Sequence, residues 1–317
     1  MTAKTQNFPF GLALVSIIFL AALNFGHSET TVPILGFHGI IDPQNNNIKS
    51  VAIPEEMHYS KQELEKLLND LIINDYWFLS TQDLYNFYLT KSQEIPANYR
   101  RKKPIMLTFD DGYKSVHTKL LPILSKLEKQ YGQKVKIVLF INPSRLEQKA
   151  SSSKTHLSCE EIREGLQKDF YDIQSHGLNH RDLTNLSRRE IVRELLHART
   201  ILRRCTEDLD PKQQVGSHFA YPYGAYNKQV ESYVSRYYLS GYLYNNETFD
   251  YTCQQNPYQI PRLIVNYNKS SQQIIKMAKD IALINNQACQ QEEKGQGVRQ
   301  RGLGGFPHER LRTRRAG

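Results

Sequence analysis

The sequence contains few cysteines, and none of them has the C-x-x-C spacing that is typical of cysteine zinc sites. Its four cysteines allow three disulfide pairings, and their spacing favours none of the three. With 39% hydrophobic and 23% charged residues, the chain is neither largely disordered nor a polytopic membrane protein. What remains is one large α/β domain or two small ones.

A basic stripe of the kind that binds nucleic acid is also absent, although the formal net charge is +9. The tail at 291–317 carries seven Lys and Arg residues against three Glu residues, so that +4 of this charge lies there. The rest is dispersed without interleaved aromatic side chains, which indicates a solvated surface. We therefore expect no nucleic-acid partner. The tail has the composition of a basic disordered segment, and we assign it no function.

Only one long apolar run is present, at residues 8–25. Gly26 and Ser28 follow it, at the positions where signal peptidases require small residues. The run is at the short end of what spans a bilayer, so membrane anchoring through residues 8–25 is the alternative. Both interpretations of residues 1–28, signal peptide or anchor, predict export to a periplasmic, extracellular or outward-facing membrane location. The folded domain is expected over residues 29–290.

Strand-like and helix-like patterns alternate along this domain. For example, Ser60 and Glu63 have capping-box spacing, and leucines with helical periodicity follow them. The expected strands are 32–37, 76–79, 105–109, 135–141, 170–175, 218–221, 241–244 and 261–265, and the expected helices begin near residues 60, 81, 116, 160, 188, 228 and 270. This alternation predicts an α/β fold with parallel βαβ units in a single barrel, and a doubly wound open sheet is the second choice.

Two adjacent carboxylates, Asp110 and Asp111, directly follow the expected strand 105–109. Successive strand side chains point to opposite faces, so both carboxylates reach one site only if the strand ends there and Gly112 turns the chain. Carboxylates this close repel each other unless one binds a cation and the other takes or holds a proton. The alternative is a solvated turn in which an Asp caps the next helix.

Two further clusters follow later strands. His176 and His180 lie on a Gly-containing loop after strand 170–175, and with a carboxylate they would form a metal site that leaves room for water or substrate. Alone, such a pair is usually a surface feature. The turn FAYPYG at 219–224 could serve only loop packing, or it could direct a backbone N–H at a substrate oxygen and offer rings on which a sugar stacks.

The order of TFDDG at 108–112, SHGLNH at 175–180 and FAYPYG at 219–224 resembles the polysaccharide deacetylase (NodB-homology) domain, carbohydrate esterase family four. The resemblance covers roughly residues 32–285. It implies a distorted (β/α)7 barrel and a hydrolase that removes N-acetyl groups from an acetylated polysaccharide. It also implies a divalent metal, with zinc expected and cobalt, nickel or iron as alternatives.

Carried over to this sequence, the resemblance implies that Asp110 is the catalytic base. The metal ligands are expected to be Asp111, His176 and His180. The backbone N–H of Tyr223 is expected to help form the oxyanion hole. Its neighbours Pro222 and Tyr221 are expected to contribute to the same substrate-binding turn.

Two features depart from the usual pattern of the family. Ser217 and Ala220 stand where many members have arginines, and no histidine motif follows Tyr258. Both departures resemble the subgroup that deacetylates poly-β-1,6-N-acetylglucosamine, in which the barrel is circularly permuted and the general acid comes from an N-terminal strand. This resemblance makes His38 the expected general acid, and Arg262 the candidate for the task of the missing arginine.

Other interpretations stay open. His38 could simply end a buried strand and be satisfied by a nearby carbonyl. The substrate could be peptidoglycan or chitin, and the chain could also be a catalytically silent glycan-binding protein on the same fold. The sequence gives neither the linkage of the glycan nor the native metal.

Overall fold

The computed structural model describes residues 30–42, 57–152, 154–253 and 256–293. The signal or anchor expected at 1–28 lies outside the described residues, as does nearly all of the tail at 291–317. The predictions of export, anchoring and a disordered tail therefore stay predictions. Among the helices of the described residues, none is both long enough and apolar enough to cross a membrane.

Strands and helices alternate as the sequence predicts. The strands are β1 (Thr31–Val32), β2 (Ile34–Phe37), β3 (Gly39–Ile41), β4 (His58–Ser60), β5 (Tyr76–Phe78), β6 (Lys103–Asp110), β7 (Ile137–Ile141), β8 (Tyr171–Ser175), β9 (His218–Ala220), β10 (Ser240–Tyr242), β11 (Phe249–Asp250) and β12 (Leu263–Ile264). The helices are α1 (Lys61–Ile73), α2 (Thr81–Asp83), α3 (Leu121–Tyr131), α4 (Cys159–Gln167), α5 (Arg188–Cys205), α6 (Lys228–Tyr237) and α7 (Ser271–Glu293). Short π-helical segments follow α2 at Leu84–Leu89 and precede α3 at Val116–Leu120.

The main sheet is parallel and curled, in the order β10-β9-β8-β7-β6-β2-β12, with β5 also pairing with β6. Ile260 bridges to Tyr242 of β10, while Leu263 of β12 pairs with Leu35 of β2. The segment that leads into β12 therefore contacts both edges of the sheet. This arrangement confirms the predicted distorted (β/α)7 barrel class rather than an open doubly wound sheet.

Strand alternation on β6 explains how the barrel presents its functional side chains. Leu107 and Phe109 pack in the large cluster between the sheet and the helices, whereas Met106 packs in the second cluster, inside the curl of the sheet. Because side chains alternate with a period of two, Thr108 and Asp110 lie on the same inner face as Met106. Asp110 is the last residue of β6, so its carboxylate lies at the mouth of the barrel.

Two details at α1 and α7 differ from the sequence expectations. Ser60 caps α1 by accepting from the Glu63 N–H, but the Glu63 carboxylate accepts from the backbone N–H of Ser271 at 2.8 Å instead of closing a capping box. Glu63 thereby joins the first helix to the last. The closing helix was expected to end at residue 285, whereas α7 continues to Glu293 and is longer than α5. The second half of α7 is polar, so no periodic pattern of apolar residues indicates where this helix ends.

Among the described residues, a disulfide joins Cys159 at the start of α4 to Cys205 at the end of α5. Both residues are buried against the large hydrophobic cluster. Four cysteines can pair in three ways, and only one of these ways joins Cys159 to Cys205. The observed disulfide therefore identifies that pairing.

Candidate metal and catalytic site

The residues singled out from the sequence converge at the carboxyl ends of the parallel strands. His38 follows β2, Asp110 ends β6, His176 follows β8, and Tyr223 lies in the turn after β9. All four strands belong to one parallel sheet, so their carboxyl ends lie at the same edge. Ligands of parallel α/β proteins bind at this edge.

The turn after β6 brings the two carboxylates together. Asp111 and Gly112 both adopt left-handed backbone angles, with φ of 69° and 71°, which reverses the chain immediately after the strand. As a result, the Nε2 atom of His176 is 3.8 Å from an oxygen of Asp110 and 3.8 Å from an oxygen of Asp111. A left-handed Asp costs conformational free energy, and such strain concentrates at functional sites.

Asp111, His176 and His180 form a set that could hold a metal ion. One ligand atom from each lies within 4.8 Å of the others, and Asp111 Oδ1 is 3.4 Å from His180 Nε2. His176 Nδ1 donates to the Ala220 carbonyl at 2.8 Å, which directs Nε2 at the carboxylates. Among the described residues, Asp111 Oδ1 is buried without a hydrogen-bond partner. These donors fit a divalent metal such as zinc.

Burial also keeps the histidine in the form that binds metal. Loss of solvent lowers the pKa of His176 to about 4, although the neighbouring Asp110 carboxylate acts in the opposite direction. The imidazole is therefore neutral near pH 7, and neutral imidazole is the ligand form.

The loop that carries both histidines is held by groups that the sequence analysis missed. The carboxylate of Glu194, buried on α5, accepts from the backbone N–H of Asn179 at 2.8 Å and from its side-chain amide at 2.7 Å. Asn142, directly after β7, donates its side-chain amide to the carbonyls of His176 and Gly177. One signal for Glu194 exists in the sequence, because a charged residue stands on the inward-facing stripe of α5 beside Leu195.

Arg262 is paired with Asp110, as proposed for the missing arginine. The guanidinium is 0% exposed and donates to both oxygens of the Asp110 carboxylate, each at 2.7 Å. Two further bonds orient it, to the Leu243 carbonyl at 2.8 Å and to Thr108 Oγ1 at 3.0 Å. Burial alone would raise the pKa of Asp110, but the charges of Arg262 and His176 outweigh it and hold that pKa well below its usual range. Asp110 is therefore ionised.

Aromatic rings enclose the Arg262 guanidinium and connect it to His38. The Phe140 and Tyr244 rings each lie with their centroid 5.1 Å from the guanidinium carbon. The Tyr244 hydroxyl donates to the Gly36 carbonyl at 3.1 Å, and a Cβ on Gly36 would overlap the Tyr244 ring. Tyr244 is a further residue that the sequence analysis missed, since nothing local to it distinguishes it from the other tyrosines.

His38 lies in the same site. Its ring is buried and meets the Tyr244 ring edge-on at a centroid distance of 5.6 Å. Burial lowers the pKa of His38, while the carboxylates of Asp110 and Asp111 act to raise it. Both carboxylates are thus close enough for His38 to share their electrostatic environment.

The two tyrosines in the turn after β9, Tyr221 and Tyr223, have different environments. The Tyr221 ring is fully buried and its hydroxyl donates to the Tyr258 carbonyl at 3.0 Å, so its side chain does not line the site. Pro222 is buried as well. Tyr223 has left-handed angles of φ 60° and ψ 9°, is 59% exposed, and contacts the His180 ring edge-on at 4.5 Å. Tyr223 therefore provides the exposed ring at the mouth.

One protein-family model matches part of this chain. Residues 97–241 match the family model described as Polysaccharide deacetylase. A curated Bacillus subtilis (strain 168) protein named "Putative polysaccharide deacetylase YxkH" is 27% identical over 199 residues, which cover 63% of this chain and 59% of the relative. The match thus spans less than two thirds of that relative.

Two solved structures share the fold. BC0361, a polysaccharide deacetylase from Bacillus cereus, is 20% identical with a TM-score of 0.64, over 78% of this chain and 69% of that chain. The Streptococcus pyogenes deacetylase PplD, solved in complex with acetate, is 21% identical with a TM-score of 0.63, over 78% and 98%. Both structures are less than 25% identical to this chain, so the likeness shows that the fold is shared.

Proposed function

We propose that the protein is a metal-dependent hydrolase that removes N-acetyl groups from an N-acetylglucosamine-containing polysaccharide and releases acetate. The observation that carries this proposal is the juxtaposition of an ionised carboxylate with a separate metal-ligand set. Asp110 is held by Arg262, while Asp111 lies within 3.4 Å of His180 and 3.8 Å of His176. Two adjacent carboxylates thus have different environments, which is how one site provides both a base and a ligand.

Amide hydrolysis needs an activated water, a stabilised oxyanion and a protonated leaving amine. A divalent metal bound by Asp111, His176 and His180 would supply Lewis acidity that lowers the pKa of water and polarises the acetamide carbonyl. Asp110, ionised beside Arg262, accepts the proton of the attacking water. Zinc fits the donor set best, and cobalt, nickel and iron accept the same ligands.

Two further groups complete the reaction. The Tyr223 N–H belongs to a rigid left-handed turn beside His180 and stabilises the developing oxyanion, a contribution of about 3 kcal/mol for one fixed donor. His38, at the end of β2, donates a proton to the leaving amine. An imidazolium can give up this proton near neutral pH, and in this site the carboxylates of Asp110 and Asp111 favour the protonated form of His38 while burial disfavours it.

The substrate is proposed to be an exopolysaccharide of the poly-β-1,6-N-acetylglucosamine type. Support comes from the two departures from the usual family pattern, because the buried Arg262 before β12 and His38 after β2 supply the charge and the imidazole that the later motifs lack. Their presence in the site also weakens the case for a catalytically silent glycan-binding protein, which rested on the missing arginine and histidine. Export through residues 1–28 would bring the protein to such a substrate.

The experiment is acetate release from defined N-acetylglucosamine oligomers in β-1,6 and β-1,4 linkage, with zinc supplied. We expect the β-1,6 oligomers to be deacetylated faster. An Asp110→Asn variant that binds metal normally should be nearly inactive, which would show that the activity comes from this site. Faster release from β-1,4 oligomers would favour peptidoglycan or chitin, and no release from either, with metal bound, would contradict the proposed function.

A further inference from the structure

Besides Arg262, a second positively charged side chain lies at the mouth of the site. It is Arg145, on the loop between β7 and α4. Arg145 ends the short 3-10 turn Pro143–Arg145. The backbone N–H of Ser144 in this turn donates at 3.2 Å to the carbonyl of Leu178, which lies between the two histidines of the metal-ligand set. The position of Arg145 is thus fixed relative to the histidine loop.

The far end of the same loop is attached to the turn that carries Asp111. The backbone N–H of Leu157 donates to the Gly112 carbonyl at 2.8 Å, and Tyr113 forms an antiparallel bridge with His156. The rings of Tyr113 and His156 lie 5.2 Å apart. His156 is therefore fixed beside the aspartate turn, as Arg145 is beside the histidine loop.

The two ends meet through a side-chain hydrogen bond. The guanidinium of Arg145 donates to His156 Nε2 at 3.1 Å, because arginine has no acceptor. The proton of His156 then lies on Nδ1, which is 2.8 Å from Thr155 Oγ1. The pair orients the exposed Arg145 guanidinium and joins both loops that carry the candidate metal ligands.

The positive charge of Arg145 is not neutralised within the part of the chain that the structure describes. Arg145 forms no ion pair with a carboxylate there, unlike Arg262, which pairs with Asp110. Arg145 adjoins the histidine loop through the Ser144–Leu178 hydrogen bond, and the His180 ring of that loop contacts the exposed Tyr223 ring at 4.5 Å. In keeping with this position, the charge of Arg145 acts to lower the pKa of the Tyr223 hydroxyl, whereas burial and Asp111 raise that pKa.

The carboxylates near Tyr223 are already engaged. Asp182 also acts on Tyr223, but its oxygens accept from Thr184 and Asn185 at 2.6 to 2.9 Å. Asp111 belongs to the metal-ligand set. The donors to Asp182 are neutral, so Asp182 keeps its negative charge, but its oxygens are directed at its own loop. The exposed Arg145 guanidinium is therefore the charge that a neighbouring sugar would meet at this rim.

The proposed reaction itself creates cations. Each acetamide is neutral, and its hydrolysis releases acetate and leaves an amine on the sugar that is protonated below its pKa. We propose that Arg145 is a specificity-determining residue that disfavours a glucosamine ammonium beside the sugar being deacetylated. This inference rests on the proposed function. It predicts that the protein acts on sugars whose neighbours are still acetylated and leaves separated amines along the chain.

The test compares two sets of N-acetylglucosamine pentamers at slightly acidic pH, where the amine is charged. One set is fully acetylated, and the other carries a single glucosamine next to the target sugar. We expect the wild-type protein to favour the fully acetylated set by about tenfold in kcat/KM, as for like charges at a partly screened separation. Arg145→Gln should reduce this ratio to about two, and Arg145→Glu should bring it to one or below.

The matched control is Lys129→Gln, which removes one exposed positive charge from the last turn of α3, at the opposite end of the barrel. It should keep the wild-type ratio. In addition, 0.5 M salt should reduce the ratio of the wild-type protein and leave that of Arg145→Gln unchanged, since salt screens exposed charges. Mass spectrometry of the products should show separated amines for the wild-type protein and adjacent amines for Arg145→Glu.

Equal rates on the two sets by the wild-type protein would overturn the inference. So would an Arg145→Gln variant that loses activity on both sets by the same factor, because that result indicates general glycan binding. No acetate from any pentamer, with metal bound, would instead contradict the proposed function, on which the inference depends.

Discussion

Replacing Arg262 by methionine tests the electrostatic basis of the site most thoroughly. In the folded protein the guanidinium is fully buried and donates to both oxygens of Asp110 at 2.7 Å. Arg262→Met leaves that carboxylate buried without its partner. Removing one member of a buried ion pair typically costs about 3–5 kcal/mol, so we expect the free energy of unfolding to fall by that amount.

A double variant separates the charge effect from the loss of packing. In Arg262→Met/Asp110→Asn the unpaired negative charge is gone, so most of the lost stability should return, although activity should not. Urea unfolding at neutral pH measures both variants, with a chelator present so that metal binding does not contribute. An Arg262→Met protein within about 1 kcal/mol of wild type would refute the reasoning, as would a double variant no more stable than the single one.

The same pair predicts the sign of a pH dependence. Burial raises the pKa of Asp110, but Arg262 and His176 lower it by more, so the folded pKa lies below the unfolded value of about 3.9. The stabilisation by the pair is therefore present above that value and is lost as the pH falls towards the folded pKa. The stability difference between the wild-type protein and Arg262→Met should therefore narrow as the pH falls below about 4, and a difference that widens there would contradict this reasoning.

Three further predictions concern single positions. His38→Ala should keep the fold and the metal but lower kcat by about two to four orders of magnitude, measured as acetate release, and near-native turnover would rule out a role as general acid. Glu194→Ala leaves the Asn179 amides without their acceptor and should weaken zinc binding about 10- to 100-fold in a chelator competition, whereas Glu190→Ala, at the exposed start of the same helix, should not. Gly36→Ala forces a methyl group into the Tyr244 ring and should lower the free energy of unfolding by about 1–3 kcal/mol, and an unchanged urea midpoint would show that the ring moves freely.

The parts of the site that the sequence could predict are those whose signal is local. Asp110 and Asp111 follow an apolar strand and precede a glycine, and His176 follows another strand, so the parallel topology alone brings them to one edge. Strand alternation also explains why the Tyr221 side chain is buried instead of lining the site. It continues the outward face of Phe219, and both rings pack in the third hydrophobic cluster, whereas Ala220 faces the barrel interior.

The rest of the site depends on contacts between distant segments. Arg262 is 152 residues from Asp110, and only the resemblance to a family, not spacing, suggested that they act together. Glu194 and Arg145 have partners fixed by how α5 and the loop after β7 pack against the histidine loop. No periodicity encodes such partners, because they are set by the tertiary fold rather than by neighbours in sequence.

The most direct test of the central claim is to measure acetate release from a β-1,6-linked N-acetylglucosamine pentamer while zinc is removed and restored. We expect stripped protein to be inactive and its activity to return in proportion to bound zinc, up to one ion per chain. His176→Ala should neither bind zinc nor recover activity. Full activity in the stripped protein, or in a His176→Ala protein without bound metal, would contradict the central claim.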